Sequence, residues 1–125
     1  MPSVVLIVDD SATEMAALTG VLKRNGFEVL NAHDADEGLQ LARAQRPDIV
    51  LMDVVMPGLN GFQATRQLAR DPDTSAIPVV MISTKSQETD RVWAMRQGAR
   101  GYLTKPIDER VLLQTIRQVL GGAPD

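Results

Sequence analysis

The stretch that decides the fold is Asp48-Ile49-Val50-Leu51-Met52-Asp53, an apolar run that ends in a carboxylate. A short, nearly continuous run of this kind is typical of a β-strand that is buried on both faces. Pro57-Gly58, a turn signal, follows shortly after it. Asp53 is therefore predicted at the carboxyl end of a central strand, and open parallel α/β sheets bind their ligands at that edge.

Four further runs are predicted as strands, and helical patterns alternate with them. The strands are Val4–Val8, Phe27–Asn31, Pro78–Ser83 and Gly101–Thr104. The helices begin at Ser11, Asp36, Gly61, Glu88 and Asp108 and end near Asn25-Gly26, Gln45, Arg70, Gln97 and Leu120. Five alternating pairs predict right-handed βαβ crossovers, and so an α/β fold with a doubly wound, five-stranded parallel sheet covered on both faces.

Composition indicates one domain and excludes several classes of function. The chain has 125 residues, 44% of them hydrophobic and 23% charged, so we expect a single domain with a core from about residue 4 to 120 and a tail from 121 to 125. The net charge of −3 argues against nucleic-acid binding. The chain has no cysteine and one histidine, which excludes thiol chemistry and a multi-histidine metal site. With no membrane-length apolar run and no signal peptide, a cytoplasmic protein is expected.

Four of the five predicted strands end in a polar residue or are followed at once by one: Asp9-Asp10, Asp53, Ser83 and Lys105. In a doubly wound sheet these ends gather at one rim. Three carboxylates that lie close together repel one another unless cations neutralise them. Lys105 supplies one positive charge and a divalent cation two more, and Mg²⁺ is the cation that prefers oxygen ligands of this type.

Such a site can make Asp53 a nucleophile toward phosphorus. A metal ion and Lys105 would offset the charge on the transferring phosphoryl oxygens, and the product would be an acyl phosphate. The Ser83 hydroxyl could then donate a hydrogen bond to a phosphoryl oxygen. Taken singly, each residue has a structural alternative: Asp9 and Asp10 could cap the following helix, Ser83 could be an ordinary strand-end hydroxyl, and Lys105 could be a solvated lysine.

Together these residues resemble response-regulator receiver domains, the phosphoacceptor half of two-component signalling. The resemblance extends from Val4 to Leu120. It rests on Asp9-Asp10, on Asp53 with Met56-Pro57-Gly58 and Gly61, on Ser83, and on Gly101-Tyr102-Leu103-Thr104-Lys105-Pro106. It implies the flavodoxin-like strand order 2-1-3-4-5.

The resemblance also implies roles for individual residues. Asp53 would accept phosphate from a histidine kinase. Asp10, Asp53 and the Val55 backbone carbonyl would bind Mg²⁺ directly, and Asp9 mainly through water. Ser83 and Tyr102 would be the switch pair, although a tyrosine in an edge strand can also be simply half-buried. The Lys105-Pro106 bond would be cis. Val55, Thr84 and Lys85 would tune the lifetime of the phosphoryl group, with Thr84 crowding its approach.

A narrower likeness links the chain to stand-alone receivers of the type IV pilus, or twitching, chemosensory system. It rests on residues 60–68, on Ser83-Thr84-Lys85, on Asp90-Arg91-Val92-Trp93 and on Arg96-Gln97-Gly98-Ala99. It implies a kinase of the chemotaxis type. We expect no effector domain, a monomer or weak phosphorylation-dependent dimer, and output through the face formed by the fourth helix, fifth strand and last helix. Output would be either binding to another protein or service as a phosphate sink.

Two other functions stay open at this point. One is an aspartate-dependent phosphatase or phosphotransferase, although the related dehalogenase-type enzymes need a second aspartate where this chain has Val55. The other is a receiver-like scaffold that is never phosphorylated, although none of the acids nor the lysine is missing. The expected receiver is not an enzyme beyond self-catalysed phosphoryl acceptance and slow loss of phosphate. Trp93 is expected to pack in the core, with a partner-facing position as the alternative.

Overall fold

The computed structural model describes residues 2–55, 58 and 60–121. Strands and helices alternate along this part of the chain. The strands are β1 (Val4–Val8), β2 (Glu28–Ala32), β3 (Ile49–Asp53), β4 (Val79–Ser83) and β5 (Gly101–Thr104). The helices are α1 (Ala12–Arg24), α2 (Ala35–Gln45), α3 (Gly61–Arg70), α4 (Glu88–Arg96) and α5 (Glu109–Gly121).

All five strands pair in parallel, in the order β2-β1-β3-β4-β5, which confirms the expected topology. The chain leaves β1 toward β2 on one side and returns to β3 on the other, so the switch point lies between β1 and β3. Ligands of open α/β sheets bind outside the carboxyl ends of the strands at such a point. The fold therefore brings the residues that follow β1 and β3 to the same place.

Alternating side chains of the sheet divide the core between its two faces. On one face Leu6, Val50 and Met52 pack with apolar residues of α2, α3 and α4. On the other, Ile7 and Leu51 pack with apolar residues of α1 and α5. Every residue of β3 is buried, as predicted for a central strand. Asp9 and Asp53 lie on the same side of the sheet as Ile7 and Leu51, since each follows one of them by two residues.

The expected secondary structure differs from the observed elements by one residue at several ends. Strand β2 spans Glu28–Ala32, because its pairing with β1 in the register Val4↔Glu28 to Val8↔Ala32 sets both ends. The expectation that Trp93 packs in the core was wrong. Its side chain is 49% exposed, and its ring meets that of Phe62 edge-on at 6.3 Å. A nine-residue helix with one buried residue, Ala94, leaves most of its side chains at the surface.

Some expectations concern residues outside the described part of the chain: the turn at Met56-Pro57 and the tail beyond Gly121. Within the described ranges, no helix is both long enough and apolar enough to cross a bilayer.

Candidate functional site at the carboxyl ends of the strands

Strand β1 delivers two adjacent aspartates to the switch point. Asp9 is 3% exposed, and its Oδ1 accepts a hydrogen bond of 2.8 Å from the backbone N–H of Ser11. Asp10 is exposed. Neither caps α1, because Ser11 is the N-cap and its Oγ accepts the N–H of Glu14 at 3.2 Å. Both aspartates are therefore available for another role.

Strand β3 ends in Asp53, which is 5% exposed. The first residue of α3 lies close to the backbone that follows Asp53. The Gly61 N–H donates a hydrogen bond to the Val54 carbonyl at 3.0 Å. A Cβ on Gly61 would overlap the Asp53 carbonyl oxygen and lie 2.8 Å from the Val54 Cα. Glycine is therefore required there by close approach of two backbones.

Lys105 reaches this site from the segment that follows β5. Its Nζ lies 3.2 Å from Oδ1 of Asp53, and its side chain is 17% exposed. The Lys105-Pro106 peptide bond is cis, as the resemblance implied. The lysine is thus an ion-pair partner of Asp53 rather than a solvated side chain.

The raised pKa values of two acids show that the nearby positive charge does not balance their negative charge. Burial raises the pKa of Asp9 to about 6, against the lowering effect of the Ser11 N–H, and the charge of Asp53 adds to the rise. Burial also raises the pKa of Asp53, although Lys105 opposes it. Burial by itself would lower the pKa of Lys105, but hydrogen bonds to Glu14 and Asp53 outweigh it and the pKa is raised. One ammonium group is too little positive charge for this cluster.

The same cluster can hold a metal ion. Asp9, Asp10 and Asp53 each offer a carboxylate oxygen, and these three oxygens lie within 4.8 Å of one another. Mg²⁺ takes carboxylate oxygens and water molecules as ligands, and three carboxylate oxygens this close together would suit such a donor set. The donor set and its excess negative charge both fit a hard divalent cation.

The hydroxyl predicted at the end of β4 belongs to a second, linked arrangement. Ser83 is 2% exposed, and its Oγ accepts the backbone N–H of Lys85 at 3.1 Å. The Tyr102 hydroxyl donates to the Lys85 carbonyl at 2.7 Å, and its ring packs partly buried against the core. Ser83 and Tyr102 therefore hold the same segment of the β4–α4 loop from two sides.

The three tuning candidates lie at the surface around the site. The Val55 side chain is 67% exposed, and Thr84 and Lys85 are also exposed. The structure does not test their expected effect on a phosphoryl group.

One residue of the site was missed by sequence reasoning. Glu14, in the first turn of α1, places its Oε2 2.8 Å from the Lys105 Nζ, closer than Asp53 does. The charge count made from the sequence set three carboxylates against Lys105 and a divalent cation. It therefore omitted a fourth carboxylate. Ser11-x-x-Glu14 has the spacing of a helix capping box, which hides any other role for the glutamate.

Comparisons with known proteins agree with the geometry. The family model described as "Response regulator receiver domain" matches residues 5–117. Protein PilH of Pseudomonas aeruginosa is 63% identical over 118 residues, which cover 94% of this chain and 98% of PilH. Other curated relatives are longer, and the chain spans about half of their length or less.

Solved structures show the same fold. Chemotaxis protein CheY4 of Vibrio cholerae superposes with a TM-score of 0.89 at 30% identity, covering 95% of this chain and 99% of that one. The CheX-CheY complex of Borrelia burgdorferi, which contains BeF₃ and magnesium, matches with a TM-score of 0.89 at 29% identity, covering 95% of this chain and 90% of that one.

Proposed function

The chain belongs to the response regulator receiver domain family, and from this premise we propose that Asp53 accepts a phosphoryl group from a histidine kinase. The observation that carries the proposal is the convergence of Asp9, Asp10 and Asp53 with the Lys105 ammonium at the switch point. In the transfer, an oxygen of Asp53 forms a bond to phosphorus while the phosphorus–nitrogen bond of the phosphohistidine breaks. The products are an acyl phosphate on Asp53 and a free histidine.

The remaining residues of the site have roles in this transfer. Asp10, Asp53 and the Val55 carbonyl would hold Mg²⁺, with Asp9 acting mainly through water, and the bound ion would neutralise charge on the phosphoryl oxygens. Lys105 adds a further positive charge against the same oxygens. The magnesium in the Borrelia complex supports this choice of metal. Phosphoryl acceptance is self-catalysed, and the protein has no other enzymatic activity.

Signalling follows from a shift of populations between two arrangements of the β4–α4 loop. The Ser83 hydroxyl, which now accepts the Lys85 N–H, turns to donate to a phosphoryl oxygen, and the loop moves with it. Tyr102 is bonded to the same loop and transmits the shift to the surface formed by α4, β5 and α5. An output protein binds that surface, or the domain acts as a phosphate sink.

The system that this receiver serves is the chemosensory pathway of the type IV pilus. The 63% identity to PilH supports this assignment, together with the sequence likeness to twitching receivers. The kinase is then of the chemotaxis type, and the protein works in the cytoplasm as a monomer or weak phosphorylation-dependent dimer.

Labelling of Asp53→Asn tests the proposal. We expect the wild-type protein to gain one phosphoryl group from acetyl phosphate and Mg²⁺, measured by intact-mass spectrometry, and D53N to stay at background. Asp36→Asn, an exposed aspartate in the first turn of α2, is the matched control and keeps wild-type labelling.

Three outcomes would contradict the proposal. Labelling of D53N equal to wild type would exclude Asp53 as the acceptor. Sustained hydrolysis of small phosphate esters would indicate a phosphatase. Absence of both Mg²⁺ binding and labelling in the folded wild-type protein would indicate a scaffold.

A further inference from the structure

Lys105 is shared between two carboxylates, only one of which the proposed function uses. Its Nζ lies 2.8 Å from Oε2 of Glu14 and 3.2 Å from Oδ1 of Asp53. Lys105 is 17% exposed at the side chain and Glu14 45%. The pair therefore lies where the buried site meets solvent, and the shorter of the two contacts is the one made outside the metal cluster.

Glu14 does not have the helix-capping role that its position after Ser11 predicts. In a capping box the glutamate at the third helical position accepts the backbone N–H of the N-cap residue. Here the Ser11 N–H is bonded to Asp9 Oδ1 at 2.8 Å, and the Glu14 side chain extends to Lys105 across the fold. A glutamate held only for capping would not make this contact, which joins residues 91 positions apart.

A cavity lies beside the pair formed by Glu14 and Lys105. A cavity of about 270 Å³ separates α1 from the segment that leads into α5, and Glu14, Lys105 and Asp9 border it. The rest of its wall is mostly apolar and includes Ala17, Leu18, Val21 and Ile107. Lys105 therefore contacts both acceptors at the border of a cavity rather than within the close-packed core.

We propose that Glu14 is a positioning residue that competes with Asp53, and with a phosphoryl group on Asp53, for the Lys105 ammonium. The inference rests on the proposed function, because the competition matters only if Asp53 is phosphorylated. The acyl phosphate carries close to two negative charges where the Asp53 carboxylate carried one, and this added charge draws Lys105 toward it. Glu14 holds the lysine back, so it weakens the lysine–phosphoryl contact and limits the stability of the activated state.

Binding of a phosphoryl analogue to Glu14→Gln tests the competition. The probe is beryllofluoride with Mg²⁺, titrated by calorimetry. Glutamine has the shape and helix propensity of glutamate without its charge, so a purely structural role predicts unchanged affinity. Ion pairs that are exposed or half-buried contribute up to about 1 kcal/mol of free energy. We therefore expect E14Q to bind the analogue about fivefold more tightly than wild type.

Two further variants separate competition from a general charge effect. Glu28→Gln makes the same change in net charge at the opposite edge of the sheet, where Glu28 pairs with Val4, and we expect wild-type affinity. Glu14→Asp keeps the charge but ends one methylene group short of Lys105. We expect its affinity to lie between those of wild type and E14Q.

Defined results would overturn the inference. E14Q binding like wild type would show that Glu14 does not restrain Lys105. E14D matching wild type while E14Q binds more tightly, or E28Q matching E14Q, would show that charge alone is responsible. In each case wild type still binds the analogue and D53N does not, whereas failure of the proposed function would leave wild type without binding at Asp53.

Discussion

The residues two positions beyond Asp53 and Ser83 are apolar and basic, so neither supplies a carboxylate or amide oxygen that could orient an attacking water. Val55 is 67% exposed, and Lys85 is tied to Ser83 and Tyr102 through its backbone rather than its side chain. Hydrolysis of an acyl phosphate needs a water molecule that is positioned and partly deprotonated. The chain offers little at these two positions to do either.

We therefore expect a phosphoryl group on Asp53 to be long-lived. The double variant Val55→Asn/Lys85→Glu adds a polar and an acidic side chain, and should shorten its lifetime by about tenfold, a smaller effect than the roughly hundredfold or more of a positioned general base. The measurement is loss of label from purified phosphoprotein in Mg²⁺. Val111→Asn, on the exposed side of α5, is the control and should leave the lifetime unchanged. A wild-type lifetime as short as that of the double variant would contradict the prediction.

Single residues differ in how far the sequence reveals them. Asp9, Asp10, Asp53 and Lys105 were identified because each lies at or just beyond the end of a strand, and parallel strands end at one edge. Glu14 was not, because it lies inside a helix and its contact to Lys105 depends on the exact placement of α1 against the end of β5. Trp93 was misplaced for a related reason: hydrophobicity predicts burial, but α4 presents only Ala94 to the core.

At the scale of whole elements, the junction between β3 and α3 couples the fold to the site. The first residue of α3, Gly61, lies against the backbone of Asp53 and Val54, so the position of the helix is coupled to that of Asp53. Gly20, in the interior of α1, offers a contrast, since its nearest neighbour in the path of a Cβ is the mobile end of Arg24 at 3.4 Å.

The same substitution should therefore have opposite effects at these two glycines. Gly61→Ala forces two backbones apart and should lower the free energy of unfolding by about 1 to 3 kcal/mol, with reduced labelling of Asp53. Gly20→Ala removes a flexible residue from a helix and should raise the free energy of unfolding by about 0.5 to 1 kcal/mol, with labelling unchanged. Urea unfolding and mass spectrometry measure both. A neutral G61A with normal labelling would show that the junction is not tight.

Element boundaries show where local patterns stop being informative. The five strands and five helices follow from hydrophobic periodicity, and the strand order from the family resemblance. Strand β2 is displaced by one residue from its predicted range because β1 selects which residues it pairs with. Such pairing is a tertiary interaction, and propensity alone cannot place it.

For the molecule as a whole, the buried acids should make folding stability depend on pH and on divalent cations. The pKa of Asp9 is raised to about 6 in the folded chain, from an ordinary value of 3.8. Between these values the folded chain binds more protons than the unfolded chain, so the free energy of unfolding falls as pH rises through that window. Above it, the charged buried carboxylate costs about 3 kcal/mol in the absence of metal.

Asp9→Asn should remove this cost. By urea unfolding with a chelator present, we expect D9N and wild type to have similar stability near about pH 3, below both pKa values of Asp9, and D9N to be more stable by about 2 to 3 kcal/mol near about pH 8. Added Mg²⁺ should stabilise wild type more than D9N, because the ion binds the folded state and favours the charged carboxylate. Glu28→Gln makes the same change in formal charge far from the site and should follow wild type. If wild type and D9N instead show parallel pH profiles and the same response to Mg²⁺, then the charge on Asp9 is already neutralised within the fold, and a metal ion is not needed to balance the site.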